Sequence, residues 1–471
     1  NHIRSHRNNK RMKAGKLKAI ISLISIIIGV MIVISPPKIL SSSEGVVAAL
    51  VIVVITFWVT GIIPEHLTAI LLFTVAMLFS IAPAKIVFSG FHSAAFWLVF
   101  AGLVVGIGIN GTGLGKRVAE KVATHLNGSY LKLIGGIVFA GLAFGFLMPS
   151  AMGRVVLLVP IALSISKHFG FKKGSNGFDG VVLAVVLGSF IPAFSILPAN
   201  VPNMILVGMT ESLYQYSPLY GEYLLLHFPI LGFLKAIIIT ALIVWLYPDK
   251  PIMDKSNSVG HSGAMSEKET ALSVVLTILI VLWMIDFIHH ISPAWIALAG
   301  AVFLLLPKIE IVSKQQFAEK MNYGSLIFIA GILSLGSMIN YSGLGSSVAK
   351  YFVSYLPLNP NTPFVNYVSL SLSSMFTGIV TTLPGVPAVL TPLTNDLSLA
   401  SGFSVRSVFM TQVIGISTPI FPYQAPPLLI GMQLAQVKLI EPIKVCLYLA
   451  VISILLLLPL NYLWWNLLGW L

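Results

Sequence analysis

Charge is what this sequence lacks most. Lys, Arg, Asp and Glu make up 9% of its 471 residues and hydrophobic residues 57%, whereas a soluble domain carries roughly 25% charged side chains. A soluble fold of this composition would expose apolar patches far above the few hundred Å² that monomers tolerate. Cysteine is nearly absent as well. With Cys446 alone, an internal disulfide, a Cys-rich zinc site and an iron–sulfur cluster are excluded. Acids are outnumbered 15 to 28, for a net charge of +13. Seven of the bases (Arg4, Arg7, Lys10, Arg11, Lys13, Lys16 and Lys18) cluster in the first 18 residues, well ahead of the first acid, Glu44. A basic cluster ahead of an apolar run fixes membrane orientation or touches anionic lipid, so no nucleic-acid partner is implied.

What the sequence has instead is long apolar runs. The first, 17–34, has the basic start of a signal peptide, but Ser35-Pro36-Pro37 offers no small-x-small cleavage site. It reads as a first transmembrane helix. A span needs about 20 mostly apolar residues. The predicted spans are 17–34, 46–63, 66–81, 93–110, 178–210, 224–247, 270–288, 292–307, 324–340, 403–434 and 440–468. Two more apolar stretches, 131–166 and 363–400, carry Pro, Gly, Ser and Thr at their centres and read as re-entrant hairpins. Prolines at 192–202 and 419–427 break two of the spans. Non-helical backbone at membrane depth is tolerated only inside protein or beside a water-filled cavity. The expected fold is therefore all-α and polytopic, with about 11 transmembrane helices and two re-entrant hairpins in a lipid bilayer.

The distribution of Lys and Arg orients this layout. With the N-terminus cytoplasmic, segments 113–132, 167–173, 248–269 and 308–320 lie inside and are rich in bases. Segments 35–45, 82–92, 211–223 and 289–291 lie outside and hold only Lys38 and Lys85. The asymmetry obeys the positive-inside rule, and does so only if 131–166 enters and leaves on the cytoplasmic side.

The chain also repeats itself. The stretch 96–103 matches 325–332 in pattern, and Thr112-Gly113-Leu114-Gly115 matches Ser342-Gly343-Leu344-Gly345. Ser150 to Pro160 parallels Thr382 to Pro392, and Val201-Pro202 parallels Pro426-Pro427. The span count starts the two copies on opposite sides of the membrane. The domain reading follows. Residues 1–44 are a basic N-terminus with the first helix. Residues 45–248 form repeat 1, with hairpin 131–166 and broken helix 178–210. A cytoplasmic linker covers 249–269, and 270–471 form repeat 2, with hairpin 363–400 and broken helix 403–434. Inverted-topology repeats are the architecture of secondary transporters, whose hairpins and broken helices meet at the midplane to build the substrate site.

Candidate binding residues follow from that meeting point. The first tip offers Ser150, Ala151, Met152 and Arg154, and the second Thr381 and Thr382. The breaks add Asn200 and Asn203 in one copy and Thr418, Tyr423 and Gln424 in the other. Arg154 is the notable residue, because an arginine at membrane depth costs about 2.5 to 3.5 kcal/mol on insertion scales and is usually functional. It has three readings: direct contact with an anionic substrate, a stand-in for a coupling cation, or a brace bonded to nearby carbonyls. Gly106-Ile107-Gly108-Ile109-Asn110-Gly111 spells a dinucleotide fingerprint, but it ends an apolar helix with no strand before it. The ten histidines form no metal pattern, and no catalytic constellation converges.

These residues resemble the divalent-anion/sodium symporter family of the wider ion-transporter superfamily. That family has two inverted repeats with a hairpin in each, and tips reading Ser-Asn-Thr. Here the tips read Ser150-Ala151-Met152 and Thr382-Leu383-Pro384, while Asn200-Val201-Pro202-Asn203 and Ala425-Pro426-Pro427-Leu428 resemble its broken-helix element. The resemblance implies a multi-pass protein of a bacterial inner or plasma membrane that forms a homodimer. It implies a secondary active transporter of small anions (dicarboxylate, tricarboxylate or sulfate) working by alternating access, as a sodium-coupled symporter or an exchanger. It also places an ion site, with Na+ as coupling ion and no other cofactor, near Ser150, Ala199, Thr382 and Gln424. Two other readings stand beside it: a cation/proton antiporter of the same superfamily, and a membrane enzyme acting on lipid-linked substrates.

The topology is testable by accessibility. In a Cys446→Ala background, a cysteine at Ser256 is expected to react with an impermeant maleimide only from the cytoplasm, and one at Ser217 only from outside. Labelling of both from one face contradicts the layout.

Overall fold

The computed structural model describes residues 2–115, 117, 129–148, 151–250 and 263–471, and every regular element among them is helical. The first half comprises α1 (His2–Ile34), α2 (Ser42–Thr60), α3 (Glu65–Leu78) and α4 (Ala94–Thr112). It continues with α5 (Tyr130–Leu147), α6 (Ala151–His168), α7 (Asn176–Phe190), α8 (Val201–Tyr214) and α9 (Tyr220–Leu246). The second half comprises α10 (Glu267–Met284), α11 (Pro293–Leu305), α12 (Tyr323–Ser342), α13 (Leu344–Val353) and α14 (Pro363–Val380). It ends with α15 (Gly385–Ser401), α16 (Val405–Ile416), α17 (Pro426–Ala435) and α18 (Ile440–Leu467).

Local chemistry sets the ends. Ser93, Ser175 and Ser404 cap α4, α7 and α16, each accepting a backbone N–H. Gly113 and Gly343 close α4 and α12 at φ 84°, a left-handed turn that suits glycine. By length and apolar composition, eight described helices can cross a membrane, or nine if the pair α15–α16, bent by 118°, is one span. The predicted spans at 66–81 and 292–307 are shorter than expected. They become α3 and α11, with 14 and 13 residues, about 20 Å long at 1.5 Å per residue. Such helices fall short of the ~30 Å hydrocarbon layer, so they cover the central helices without crossing unaided. The segments 131–166 and 363–400, expected as hairpins and so named, each hold a helix pair, α5–α6 and α14–α15.

The halves are interlocked. α3 of the first half packs on α12 of the second, and α11 of the second packs on α4 of the first. The breaks cross in the same way: α17 lies on α6, and α8 on α15. Matched capping boxes reinforce the exchange. Ser41 and Glu44 cap α2, and Ser266 and Glu269 cap α10. Glu44 then accepts a hydrogen bond from Ser347 Oγ at 2.6 Å, while Arg117 donates to Glu269 at 2.9 and 3.0 Å. Arg117 and Ser347 each stand four residues past the repeat-related Gly113 and Gly343, so each half's capping glutamate holds the other half's post-glycine turn.

Around each hairpin the contacts are closer still. α5 and α7 approach so tightly that a Cβ on Gly188 would lie 2.7 Å from Val138 Cα, and one on Gly141 2.8 Å from the Ser189 nitrogen. The long helices α9 and α18 each widen into a π turn, Phe228–Leu234 and Ser453–Leu457, beside Pro229 and Pro459. A missing proline N–H is a common cause of such widening. α9 packs on α5, α7 and α18, so it belongs with the hairpins and breaks. Helix α1 packs along α2 and leaves Leu17, Ile20, Leu23 and Ile27 exposed, the face lipid would cover.

A valine at Gly188 meets backbone and cannot be accommodated by a rotamer change. At about 1–3 kcal/mol for overpacking, Gly188→Val is expected to lower the melting temperature of the detergent-purified protein. Gly263→Ala, which meets open space, is expected to leave it unchanged. Equal melting curves contradict the close α5–α7 contact.

Candidate functional site

The four interrupted elements converge on one cavity of about 210 Å³. Ala151 and Met152 reach it from the first tip, and Thr382, Leu383 and Pro384 from the second. The first break contributes Pro198, Val201 and Pro202, and the second Gln424 to Pro427. The remaining wall comes from α2, α3, α4 and α12, with Trp58, Glu65, Leu98, Gly102, Asn322 and Ser325. The lining is mostly apolar. No Lys, Arg or His is among its described residues, and Glu65 is the single charged side chain there. α6, α8 and α17 all begin at the cavity wall, so it faces the positive ends of three helices.

Of the residues expected to bind substrate, Ala151, Met152, Thr382 and Gln424 line this space. Gln424 also knits the second site together. Its Oε1 accepts from the Ile420 and Phe421 N–H groups at 2.8 Å each, and its carbonyl accepts from Leu383 N–H of the facing tip at 3.2 Å. Thr381 points back into its own helix and donates to Thr377 O at 2.7 Å. Thr418 is buried behind the break and donates to Ile414 O at 2.8 Å. Asn203, also buried, donates to Phe194 O and Ile196 O at 3.0 Å each. Ser150 lies outside the described residues. Tyr423 sits in the 3-10 turn Pro422–Gln424, with its side chain outside the described part.

Arg154 points away from the cavity. It is fully buried. Nε donates to Ser189 O at 2.9 Å, Nη1 to Met148 O at 2.5 Å and Ala199 O at 2.9 Å, and Nη2 to Asn200 Oδ1 at 3.0 Å. Asn200 in turn donates to Phe190 O at 3.2 Å. The guanidinium thus joins the first tip, the end of α7 and the break that follows it. Its acceptors are all neutral oxygens.

The model of the family described as the sodium:sulfate symporter transmembrane region matches residues 16–471. The chain belongs to that family. It is therefore a multi-pass membrane transporter rather than an enzyme. A protein of Cupriavidus necator described as "Membrane protein" is 24% identical over 410 residues, covering 81% of this chain and 76% of that one. An L-tartrate/succinate antiporter of Escherichia coli is 22% identical over 356 residues, covering 72% of each chain. Among solved structures, the YdaH transporter of Alcanivorax borkumensis shares the fold with a TM-score of 0.52 at 14% identity, covering 84% of this chain and 89% of that one.

Three features of this symporter-family chain escaped the reading of its sequence. Glu65 gives no signal of its own, standing between two apolar runs at a span boundary. Asn322 and Ser325, the cap of α12, carry no motif. Lys235, a lone base in the middle of the apolar stretch 224–247, was the one available signal for a second buried cation. Its Nζ is bonded to Ser417 and Thr418 at the second break.

Removing the Arg154 guanidinium strands four buried oxygens, at about 1–3 kcal/mol for each left unpaired. Arg154→Ala is expected to melt well below wild type, and free guanidinium in the buffer is expected to restore part of the loss. Arg154→Lys, with three donors for four acceptors, is expected to fall between. An Arg154→Ala melting curve that matches wild type contradicts the bracing geometry.

Proposed function

We propose that this chain exchanges small dicarboxylate anions by alternating access, without a coupling sodium ion at its first helix break. The observation that carries the reading is the seat of Arg154. In transporters built from broken helices, unwound backbone carbonyls at the break coordinate Na+. Here two backbone carbonyls, Ala199 O at the break and Met148 O at the facing tip, are already bonded to a guanidinium, together with the Asn200 side-chain oxygen. A covalently attached cation neither binds nor leaves during a cycle, so it cannot couple a gradient to uphill uptake. Exchange of one anion for another needs no such gradient.

The anion assignment draws on the cavity itself. Its helix starts and the Thr382 hydroxyl suit carboxylate oxygens, and the apolar walls suit a short carbon chain. The antiport named for the Escherichia coli relative favours the same reading. A cation/proton antiporter would need a midplane carboxylate to exchange cation for proton, and neither the tips nor the breaks carry an Asp or Glu. Glu65, the acid among the described lining residues, lies on α3 instead. The hairpins, the breaks, α9 and α18 form the moving body in this scheme, against a scaffold of α2 to α4 and α10 to α12. A homodimer in a bacterial inner or plasma membrane, with a cytoplasmic N-terminus, completes it.

Proteoliposomes test the proposal directly. Vesicles loaded with succinate are expected to take up labelled succinate or L-tartrate equally well in sodium and in choline buffers. Empty vesicles are expected to take up almost none. Uptake that requires sodium, or that proceeds into empty vesicles, overturns it.

A further inference from the structure

Lys235 does not line the cavity, yet among the described Lys and Arg residues it is fully buried, as Arg154 is. It follows directly on the π turn Phe228–Leu234 of α9. Its Nζ donates to Ser417 O at 2.7 Å and to Ser417 Oγ and Thr418 Oγ1 at 3.1 Å each. Both hydroxyls give their own protons to Ile414 O, so each turns only a lone pair toward the lysine. Three acceptors therefore surround Nζ, an arrangement that fits an ammonium with three N–H groups and leaves no donor for a free amine to accept. Among the described residues, no carboxylate pairs with it.

The position mirrors that of Arg154. Arg154 bonds Ser189 O in the last turn of α7, and Lys235 bonds Ser417 O just past the end of α16. Each base thus sits at the negative, C-terminal end of the first segment of a broken span. In both cases the second segment, α8 or α17, begins at the cavity. A helix of the first half supplies the base for the break of the second, and that helix packs with the hairpins.

We propose that Lys235 is a specificity-determining positioning residue, supplying with Arg154 two fixed charges that a doubly charged anion neutralises and a singly charged one does not. The inference rests on the exchange reading above. Reorientation carries the site through a low-dielectric barrier, where an uncompensated charge is strongly disfavoured. A core loaded with a dianion is neutral, whereas an empty core keeps both charges and is held back. Return then requires a second anion. Glu65 is outside this count, because α3 packs chiefly on α12 and α2, in the scaffold.

The test is a competition assay in succinate-loaded proteoliposomes at about pH 6.5, where both carboxylates are ionised. Uptake of labelled succinate is challenged with unlabelled succinate and with its monomethyl ester, a monoanion of nearly the same shape. Wild type is expected to favour succinate by at least about tenfold, or 1.4 kcal/mol. Lys235→Gln and Lys235→Met are expected to shift that ratio toward the ester by a similar factor, and Lys235→Arg to leave it alone. A purely structural role lowers folded protein or total rate without moving the ratio, so an unmoved ratio in a transporting neutral variant overturns the proposal. If neither neutral variant purifies folded, the wild-type ratio decides, and equal acceptance of ester and succinate overturns it. Wild type that exchanges no dicarboxylate at all defeats the exchange reading itself, and this inference with it.

Discussion

A helix that breaks inside a membrane leaves carbonyl groups that no water can reach, and this chain meets that constraint with buried bases. Each unsatisfied polar group in hydrocarbon costs several kcal/mol, and the ends of α7 and α16 present such groups at the negative poles of their helices. Arg154 answers the first and Lys235 the second. Neither base has a carboxylate partner among the described residues, so the helix ends and their neighbouring oxygens satisfy its hydrogen bonds without cancelling its charge. Much else in the site depends on this pairing.

One consequence is the character of the cavity. With the bases behind the breaks, the space in front of them has no cationic side chain among its described residues; its polar groups are helix starts, Thr382, Gln424, the cap of α12 and the Glu65 carboxyl. The field at the site comes from fixed dipoles and from charges one layer back. Such a field is preorganised, since the groups that generate it are locked by their own hydrogen bonds. Apolar walls from Trp58, Leu98 and Phe328 keep the dielectric low and the field strong.

A second consequence concerns how the halves are joined. α17 lies on the first hairpin and α8 on the second, and Lys235 reaches from the first half to the break of the second. A movement of one break therefore draws on contacts with the opposite hairpin. The scaffold is crossed in the same sense, through α3 on α12, α11 on α4 and the exchanged glutamates Glu44 and Glu269. The close approach of α5 and α7 at Gly141 and Gly188 packs the first hairpin tightly on the helix that leads into its break.

Much of this was legible in the residues. Spans show as apolar runs, and hairpins and breaks show as prolines and glycines inside them, because both signals are local and follow from hydropathy and from the missing proline N–H. The oddity of Arg154 was visible for the same reason, as a charge where none is cheap. Its direction was not. Whether a guanidinium faces a cavity or a backbone depends on which carbonyls the fold brings near it, and Ser189 and Ala199 lie 35 and 45 residues away. Lys235 needed partners 182 residues distant. Glu65 became part of the cavity only when α3 proved short and packed across the repeat. The sequence by itself determined where helices form and fail; only the tertiary structure decided where each charge comes to rest, because that choice is made by partners the chain supplies from far away.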